Sequence, residues 1–226
     1  MKKISIMLAE DHTMFRECIQ LMLKLEPDMD VVGEAHDGRL AVSMASELRP
    51  DVILMDISMP KLNGIEATRQ LMKARPAARI IILSANCDDA SVKSAVDAGA
   101  AGFLLKQDSS RHICEAIRKV SGCGIHYSPS IAKRFVRLNP QSRDRSGKLE
   151  RKSVTLSSRE TEVLQLIAES FTNKEIGWEL AISIKTVEKH RGQLMRKLDI
   201  HDTASLTRHA ITTGIIDCNA RLAMRC

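Results

Sequence analysis

In the first half of the chain, several short apolar runs end in, or are followed by, a carboxylate, hydroxyl or ammonium side chain. These side chains are those of Glu10, Asp11, Asp56, Ser84 and Lys106, and the runs are residues 4–9, 52–56, 79–84 and 102–105. Crowded carboxylates repel one another unless a hard cation lies between them, and Mg²⁺ takes such oxygen ligands. A lysine supplies positive charge to a phosphoryl group, and a serine hydroxyl supplies a hydrogen bond. These residue types therefore indicate a Mg²⁺-assisted site at which a carboxylate nucleophile accepts a phosphoryl group.

The apolar runs are predicted strands, and segments with helical spacing separate them. Strands are predicted at 4–9, 29–35, 52–56, 79–84 and 102–105, and helices near 13–25, 38–47, 64–73, 89–98 and 109–120. In the first helix Met14, Cys18, Leu21 and Leu25 repeat at helical spacing. The alternation predicts a doubly wound α/β domain with a five-stranded parallel sheet. Because sites in such folds lie outside the carboxyl ends of the strands, the polar residues should converge at one edge.

Residues 1–122 resemble the receiver domain of bacterial two-component response regulators, which has a flavodoxin-like fold. The resemblance is carried by Glu10-Asp11, Asp56-Ile57-Ser58-Met59-Pro60, Gly64, Ser84-Ala85 and Gly102-Phe103-Leu104-Leu105-Lys106. It implies that Asp56 is the phosphoacceptor and that a histidine of a partner sensor kinase is the phosphoryl donor. It also implies that Glu10, Asp11, Asp56 and the backbone carbonyl of Ser58 hold Mg²⁺, while Ser84 and Lys106 bind the phosphoryl group.

Phe103 stands three residues before Lys106, where the resemblance places a switch aromatic. If Ser84 moves to donate a hydrogen bond to an aspartyl phosphate, it vacates volume beside the fourth strand, and Phe103 could rotate inward into that space. Phosphorylation would then bias a bistable surface formed by the fourth helix, the fifth strand and the fifth helix. Plain core packing is the alternative role for Phe103.

The second half of the chain is basic. Residues 1–126 carry 16 Lys and Arg against 17 Asp and Glu, whereas residues 127–226 carry 18 against 11. A basic half suggests a polyanion partner, but most of the excess lies in residues 127–152. We therefore predict a basic linker at 123–152 and require local geometry for any claim of DNA binding.

Residues 153–226 are predicted to form a four-helix domain with a helix-turn-helix motif at about 173–192. Ser157 and Glu160 give a capping box, and helices follow at about 173–180, 184–198 and 203–213. On a helical wheel the third helix has an apolar face with Val187, Leu194 and Leu198, and a basic face with Lys185, Lys189, Gly192 and Arg196. Lys and Arg can reach guanine or phosphate oxygens, and Glu188 could accept from cytosine. Arg191 points towards the apolar side, and a merely solvated charged face is the alternative.

Residues 154–217 resemble the LuxR-type helix-turn-helix domain. The matching strings are Leu156–Glu160, Asn173–Ile176, Ile182–His190 and Lys197-Leu198. A receiver followed by this domain is the architecture of the NarL/FixJ family of response regulators. The resemblance implies a transcriptional regulator that binds double-stranded DNA and forms a homodimer when phosphorylated or DNA-bound. Phosphorylation would then either promote dimerisation or free a masked recognition helix. The residues expected at DNA are Lys185, Thr186, Glu188, Lys189, Gly192 and Arg196, and those expected at the dimer contact are Leu206, Ala210 and Ile211.

Rival functions are disfavoured by particular residues. A haloacid-dehalogenase-type phosphatase would need a second aspartate two positions after its nucleophile, where the chain has Ser58. A DNA binder with a vestigial receiver, or a small-molecule-sensing quorum regulator, would not need the Asp56, Ser84 and Lys106 set. We therefore expect a regulator that is not a turnover enzyme, although it could dephosphorylate itself.

The composition indicates a cytoplasmic protein. No run approaches the roughly 18 apolar residues of a membrane span, and the apolar part of the N-terminus is too short for a signal-peptide core. The six cysteines include no C-x-x-C pair, so free thiols in a reducing compartment are expected.

Overall fold

The computed structural model describes residues 2–86, 88–128 and 156–217. The chain divides into two compact units, and the division falls between residues 128 and 156. Most of the predicted linker, residues 129–152, therefore lies outside the described residues, as do residues 218–226 of the predicted C-terminal domain. The boundaries at 122 and 153 stay predictions.

The N-terminal unit is a parallel α/β sheet with helices on both faces, as predicted. Its strands are β1 (Ile4–Ala9), β2 (Met29–Ala35), β3 (Val52–Asp56), β4 (Ile80–Ser84), β5 (Gly102–Leu105) and β6 (His126–Tyr127), in the order β2-β1-β3-β4-β5-β6. Its helices are α1 (Thr13–Lys24), α2 (Gly38–Leu48), α3 (Gly64–Ala74), α4 (Asp89–Asp97) and α5 (Ser110–Ser121).

The sheet has a sixth strand that the sequence did not predict, and it lies in the segment assigned to the linker. β6 pairs in parallel with β5, so that His126 lies opposite Gly102 and Tyr127 opposite Phe103. The Tyr127 hydroxyl donates to the carbonyl of Ala100 at 3.2 Å. Two residues carry no readable alternation, so only their pairing with β5 defines this strand.

Alternate residues of the central strands build two cores, one on each face of the sheet. Met7, Ile53 and Ile82 face the core that includes residues of α2, α3 and α4. Leu8 and Leu54 face the opposite core, which includes residues of α1 and α5. All residues of β3 and β4 are buried, which explains their continuous apolar sequence. The carboxyl ends of β1, β3, β4 and β5 consequently meet at one edge.

The start of α3 is fixed directly beside the end of β3. The Asn63 side chain caps the helix by accepting from the backbone N–H of Glu66 at 2.9 Å. A Cβ atom at Gly64 would lie 1.8 Å from the carbonyl oxygen of Asp56, so only glycine fits there. This close approach holds the loop after Asp56 against the sheet edge.

The C-terminal unit contains α6 (Ser158–Ala168), α7 (Asn173–Glu179), α8 (Ile184–Leu198) and α9 (Thr203–Thr212). Ser157 and Glu160 form the predicted capping box at the start of α6. The four helices share one core, to which α6 contributes Val163 and Leu166, and α8 contributes Val187 and Leu194. Within the described residues, no helix has the length and apolar character needed to cross a membrane.

Candidate functional site

The structure brings the predicted polar residues of the N-terminal unit to the carboxyl edge of its sheet. Asp56 ends β3, Ser84 ends β4, and Lys106 directly follows β5. Glu10 and Asp11 come directly after β1. Asp56 and Glu10 are almost fully buried, with 1% and 3% of their surface exposed. Two carboxylates buried so closely require positive charge nearby.

Lys106 supplies that charge. Its Nζ lies 3.1 Å from Oδ1 of Asp56 and 2.9 Å from Oε1 of Glu10. The ammonium also lies 5.1 Å from the centre of the Phe15 ring, within the range of a cation–π contact. Lys106 thus links the strand ends of β1, β3 and β5.

The charges at the site shift the pKa values of its groups. Burial, and then repulsion from Glu10, raise the pKa of Asp56 from 3.8 to about 7, although Lys106 opposes this rise. Burial alone would lower the pKa of Lys106, but the carboxylates of Asp56 and Glu10 outweigh it and raise that pKa. Lys106 therefore stays charged, while the Asp56 carboxylate lacks full compensation.

The carboxylate oxygens fit a divalent cation. Oε2 of Glu10, Oδ2 of Asp56 and Oδ1 of Asp11 are buried, and none of them has a hydrogen-bond partner among the described residues. Ligand atoms of these three residues and of His12 all lie within 4.8 Å of one another. Hard oxygen atoms left unpaired in a buried acidic cluster are the donor set that Mg²⁺ takes. The backbone carbonyl of Ser58 stays a predicted ligand.

Ser84 and Phe103 are arranged differently from the expected switch. The Ser84 hydroxyl donates to the carbonyl of Asn86 at 2.6 Å, so it must leave this bond before it can bind a phosphoryl group. Phe103 is already fully buried in the core between the sheet and α2, α3 and α4. The expected inward rotation is therefore not needed to bury this ring, because the core already contains it.

Sequence reasoning missed two residues that shape the site. The Nδ1 atom of His12 lies 3.1 Å from Oε1 of Glu10 and 3.0 Å from Oδ1 of Asp11. Arg16 donates from Nη1 to the carbonyl of Glu10 at 2.7 Å and from Nε to Glu34 at 3.2 Å, which fixes the end of β1. The position of His12 directly after the two acidic residues was a signal that could have identified it.

The C-terminal unit presents one charged face of α8. Val187 and Leu194 are buried in the core. The residues predicted at DNA are mostly on the outside: Lys185, Glu188, Lys189 and Arg196 are exposed, and Thr186 and Gly192 are partly exposed. Thr186 also belongs to the helix start, since its backbone N–H donates to Oγ of Ser183 at 3.1 Å.

Gly192 lies in the middle of α8, and apart from its chain neighbours and the nearby backbone of its own helix, no described atom lies within 4 Å of the place its Cβ would occupy. Arg196 lies back along the helix and donates from Nε to the Gly192 carbonyl at 3.2 Å. Arg191, on the other side, donates to Asn173 at 3.0 Å and to Thr203 at 3.2 Å. It therefore links α8 to its neighbours within the unit, in keeping with its predicted orientation.

Two of the three dimer contacts predicted on α9, Leu206 and Ala210, are corrected by the structure, and Ile211 stays a prediction. Leu206 and Ala210 are fully buried in the core of the C-terminal unit, and Ile211 packs against that core. Their helical spacing is that of the face which α9 presents to α6, so the apolar stripe serves internal packing. Leu206 and Ala210 cannot contact a partner copy in this fold.

Family comparisons agree with both halves of the chain. A family described as "Response regulator receiver domain" matches residues 6–118, and one described as "Bacterial regulatory proteins, luxR family" matches residues 154–210. The transcriptional regulatory protein LiaR of Bacillus subtilis (strain 168) is 40% identical over 215 residues, covering 95% of this chain and 100% of LiaR. The transcriptional regulatory protein DegU of Brevibacillus brevis is 35% identical over 223 residues, covering 94% of each chain.

Solved structures agree as well. The RcsB response regulator of Salmonella typhimurium has a TM-score of 0.62 at 25% identity, over 94% of this chain and 99% of that one. A LuxR-family two-component response regulator from Aurantimonas sp. SI85-9A1 has a TM-score of 0.58 at 32% identity, over 60% of this chain and 97% of that one. Together with the acidic edge of the sheet and the helix-turn-helix, these matches show that the chain belongs to the NarL/LuxR family of two-component response regulators, with a receiver domain and a LuxR-type DNA-binding domain.

Proposed function

We propose that Asp56 accepts a phosphoryl group from a histidine of a sensor kinase, and that this controls dimerisation and promoter binding by the C-terminal domain. The observation that carries the proposal is the placement of Asp56, which is buried at the carboxyl edge of the sheet with Lys106 Nζ at 3.1 Å. A carboxylate in this position has a nearby cation to balance the charge of an incoming phosphoryl group. We further place the protein in the cytoplasm and regard it as a regulator without turnover activity.

The transfer step needs a nucleophile, charge balance and a donor to the phosphoryl oxygens. A carboxylate oxygen of Asp56 forms the new P–O bond while the P–N bond of the phosphohistidine breaks, and the imidazole leaves with its electron pair. Lys106 balances part of the added negative charge. Ser84 breaks its bond to Asn86 and donates its hydroxyl to a phosphoryl oxygen.

The metal site is built from residues that the fold already gathers. Glu10, Asp11, Asp56 and the Ser58 carbonyl would hold Mg²⁺, and the unpaired oxygens of the three carboxylates support this assignment. When bound, Mg²⁺ supplies positive charge that offsets the repulsion between the carboxylates and the phosphoryl group.

The exposed face of α8 supports double-stranded DNA as the partner of the C-terminal domain. Lys185 and Lys189 can reach base edges or phosphates, and Glu188 can accept from cytosine. Solved structures of RcsB include dimers bound to DNA. A two-fold dimer would place two copies of α8 in neighbouring half-sites of a promoter. Because Leu206 and Ala210 are buried, Ile211 is the one of the three predicted dimer residues that we keep as a proposed contact.

Incubation with Mg²⁺ and acetyl phosphate tests the first step. Intact mass should show the gain of one phosphoryl group by the natural chain and no gain by Asp56→Asn. The same two samples should then be titrated with promoter fragments. Binding that is tighter, or of higher stoichiometry, only in the phosphorylated natural chain is expected. Failure to gain the group, or equal binding by both forms, would refute the proposal.

A further inference from the structure

A histidine stands inside the acidic cluster at the edge of the receiver sheet. Ligand atoms of Glu10, Asp11, His12 and Asp56 lie within 4.8 Å of one another, so a single ion can reach all four. His12 belongs to the loop between β1 and α1, and most of its side chain is exposed. Its ring can therefore adjust towards an ion without disturbing the core.

The spacing of the ring nitrogen is that of neighbouring ligands on one ion. In an octahedral complex with bonds of about 2.1 Å, adjacent ligand atoms lie about 3 Å apart. Nδ1 of His12 lies 3.0 Å from Oδ1 of Asp11 and 3.1 Å from Oε1 of Glu10, with which it shares a hydrogen bond that a bound ion would replace. Oδ1 of Asp11 accepts no hydrogen bond from any described residue, although the ring nitrogen is so close.

Glu10 and Asp56 contribute further buried oxygen atoms to the same cluster. Oε1 of Glu10 and Oδ1 of Asp56 are taken by Lys106, at 2.9 Å and 3.1 Å. The second oxygen of each carboxylate is buried and has no hydrogen-bond partner in the described part of the chain. The cluster thus offers unpaired oxygen ligands from two buried side chains and a nitrogen ligand from a third, largely exposed side chain.

We propose that His12 is an additional ligand that makes this site prefer nitrogen-accepting divalent ions, such as Co²⁺ or Zn²⁺, over Mg²⁺. The inference rests on the metal site of the proposed function and adds a ligand to it. Mg²⁺ prefers oxygen ligands and keeps its waters, whereas affinity for imidazole rises from Mn²⁺ towards the later first-row metals. For Nδ1 to bind the ion, the ring proton must be on Nε2, which is the tautomer that a metal selects.

Calorimetric titration of the metal-free full-length chain with MgCl₂ and with CoCl₂ tests the proposal. His12→Ala should weaken Co²⁺ binding by at least about tenfold and change Mg²⁺ binding by less than about twofold. His36→Ala is the matched control, because His36 is similarly exposed and its nearest carboxylate, Asp37, lies at 3.8 Å outside the cluster. That variant should leave the affinities of both metals unchanged.

Pulsed electron paramagnetic resonance with Cu²⁺, a later first-row ion that takes imidazole ligands, gives a readout that does not depend on affinity. The natural chain should show coupling between the metal and a ring nitrogen, and His12→Ala and His12→Gln should both lose it. Absence of nitrogen coupling in the natural chain, or equal loss of Mg²⁺ and Co²⁺ affinity in His12→Ala, would overturn the role of His12. Loss of Mg²⁺ binding in Asp56→Asn, together with an unchanged metal preference in His12→Ala, would reject this inference and leave the proposed function standing.

Discussion

The buried carboxylate of Asp56 should make the receiver less stable than it would be with an uncharged side chain of the same shape. Burial and Glu10 raise the pKa of this group from 3.8 to about 7. Since one pKa unit corresponds to about 1.4 kcal/mol, the charged carboxylate costs about 4 kcal/mol at neutral pH. We therefore expect Asp56→Asn, which removes the charge and keeps the shape, to raise the free energy of unfolding by up to about 4 kcal/mol in the absence of metal.

The raised pKa of Asp56 also predicts how the free energy of unfolding depends on pH. Because the pKa of Asp56 is higher in the folded chain, the folded state holds its proton more tightly than the unfolded state does. The stability that this provides is complete below pH 3.8 and is lost as the pH rises to about 7. The Asp56→Asn variant should lack this decline between about pH 4 and pH 7, and the two chains should differ most above pH 7.

Urea unfolding in EDTA measures the difference, and the chain carries a probe within the receiver. Its single tyrosine, Tyr127, lies in β6 and donates its hydroxyl to the carbonyl of Ala100. The tyrosine transition should move to higher urea in Asp56→Asn. Added Mg²⁺ should stabilise the natural chain more than the variant.

Asp51→Asn is the matched control. Hydrogen bonds from the side chain and backbone of Ser5, at 2.6 Å and 2.8 Å, lower the pKa of Asp51, so its charge stabilises the same unit. This variant should be less stable than the natural chain at pH 7.5. If Asp56→Asn is also no more stable than the natural chain there, or if it keeps the decline between pH 4 and pH 7, the electrostatic reasoning is refuted.

Three other changes follow from the structure. Gly192→Ala should stabilise α8 by about 1 kcal/mol, because the new Cβ meets no described atom beyond its chain neighbours and its own helix backbone. The same change should weaken promoter binding about tenfold if DNA approaches the helix at this position. Thermal unfolding measures the first effect, and a DNA titration measures the second. Burial would raise the pKa of Glu160, but bonds from Lys197 and Ser157 outweigh it and lower that pKa. Its contribution to stability is therefore present above the unfolded value of about 4.5 and lost at lower pH, so Glu160→Gln should flatten the acid unfolding curve followed by circular dichroism. Phe103→Ala should cost the receiver about 3–5 kcal/mol in urea unfolding, because the ring is fully buried; a loss below about 1 kcal/mol would contradict that placement.

Helical spacing predicted the elements of this protein better than it predicted their buried faces. The repeat of Met14, Leu21 and Leu25 correctly indicated α1, but these side chains are 74%, 63% and 83% exposed. α1 instead buries Ile19 and Leu23 against the sheet. In α9 the opposite error occurred, because Leu206 was assigned to a partner copy and lies in the core of its own unit. The helical spacing of apolar residues shows that a helix has an apolar side. Which segment covers that side depends on how parts distant in the sequence pack together.

The sequence by itself determined the order and type of the main elements. Short continuous apolar runs suit strands covered on both faces, and the polar residues after them mark the edge where those strands end. It also determined the convergence of Asp56, Glu10 and Lys106, since parallel strands share one carboxyl edge.

Tertiary structure alone decided the finer features. β6 exists because β5 offers an open edge to two residues, and no local pattern marks such a strand. Only the fold could show that the Ser84 hydroxyl is already bonded to the carbonyl of Asn86 and that Phe103 is already buried in the core. These features depend on the direction in which a side chain points. That direction is fixed by packing and charge in three dimensions, often through residues that are distant in the sequence.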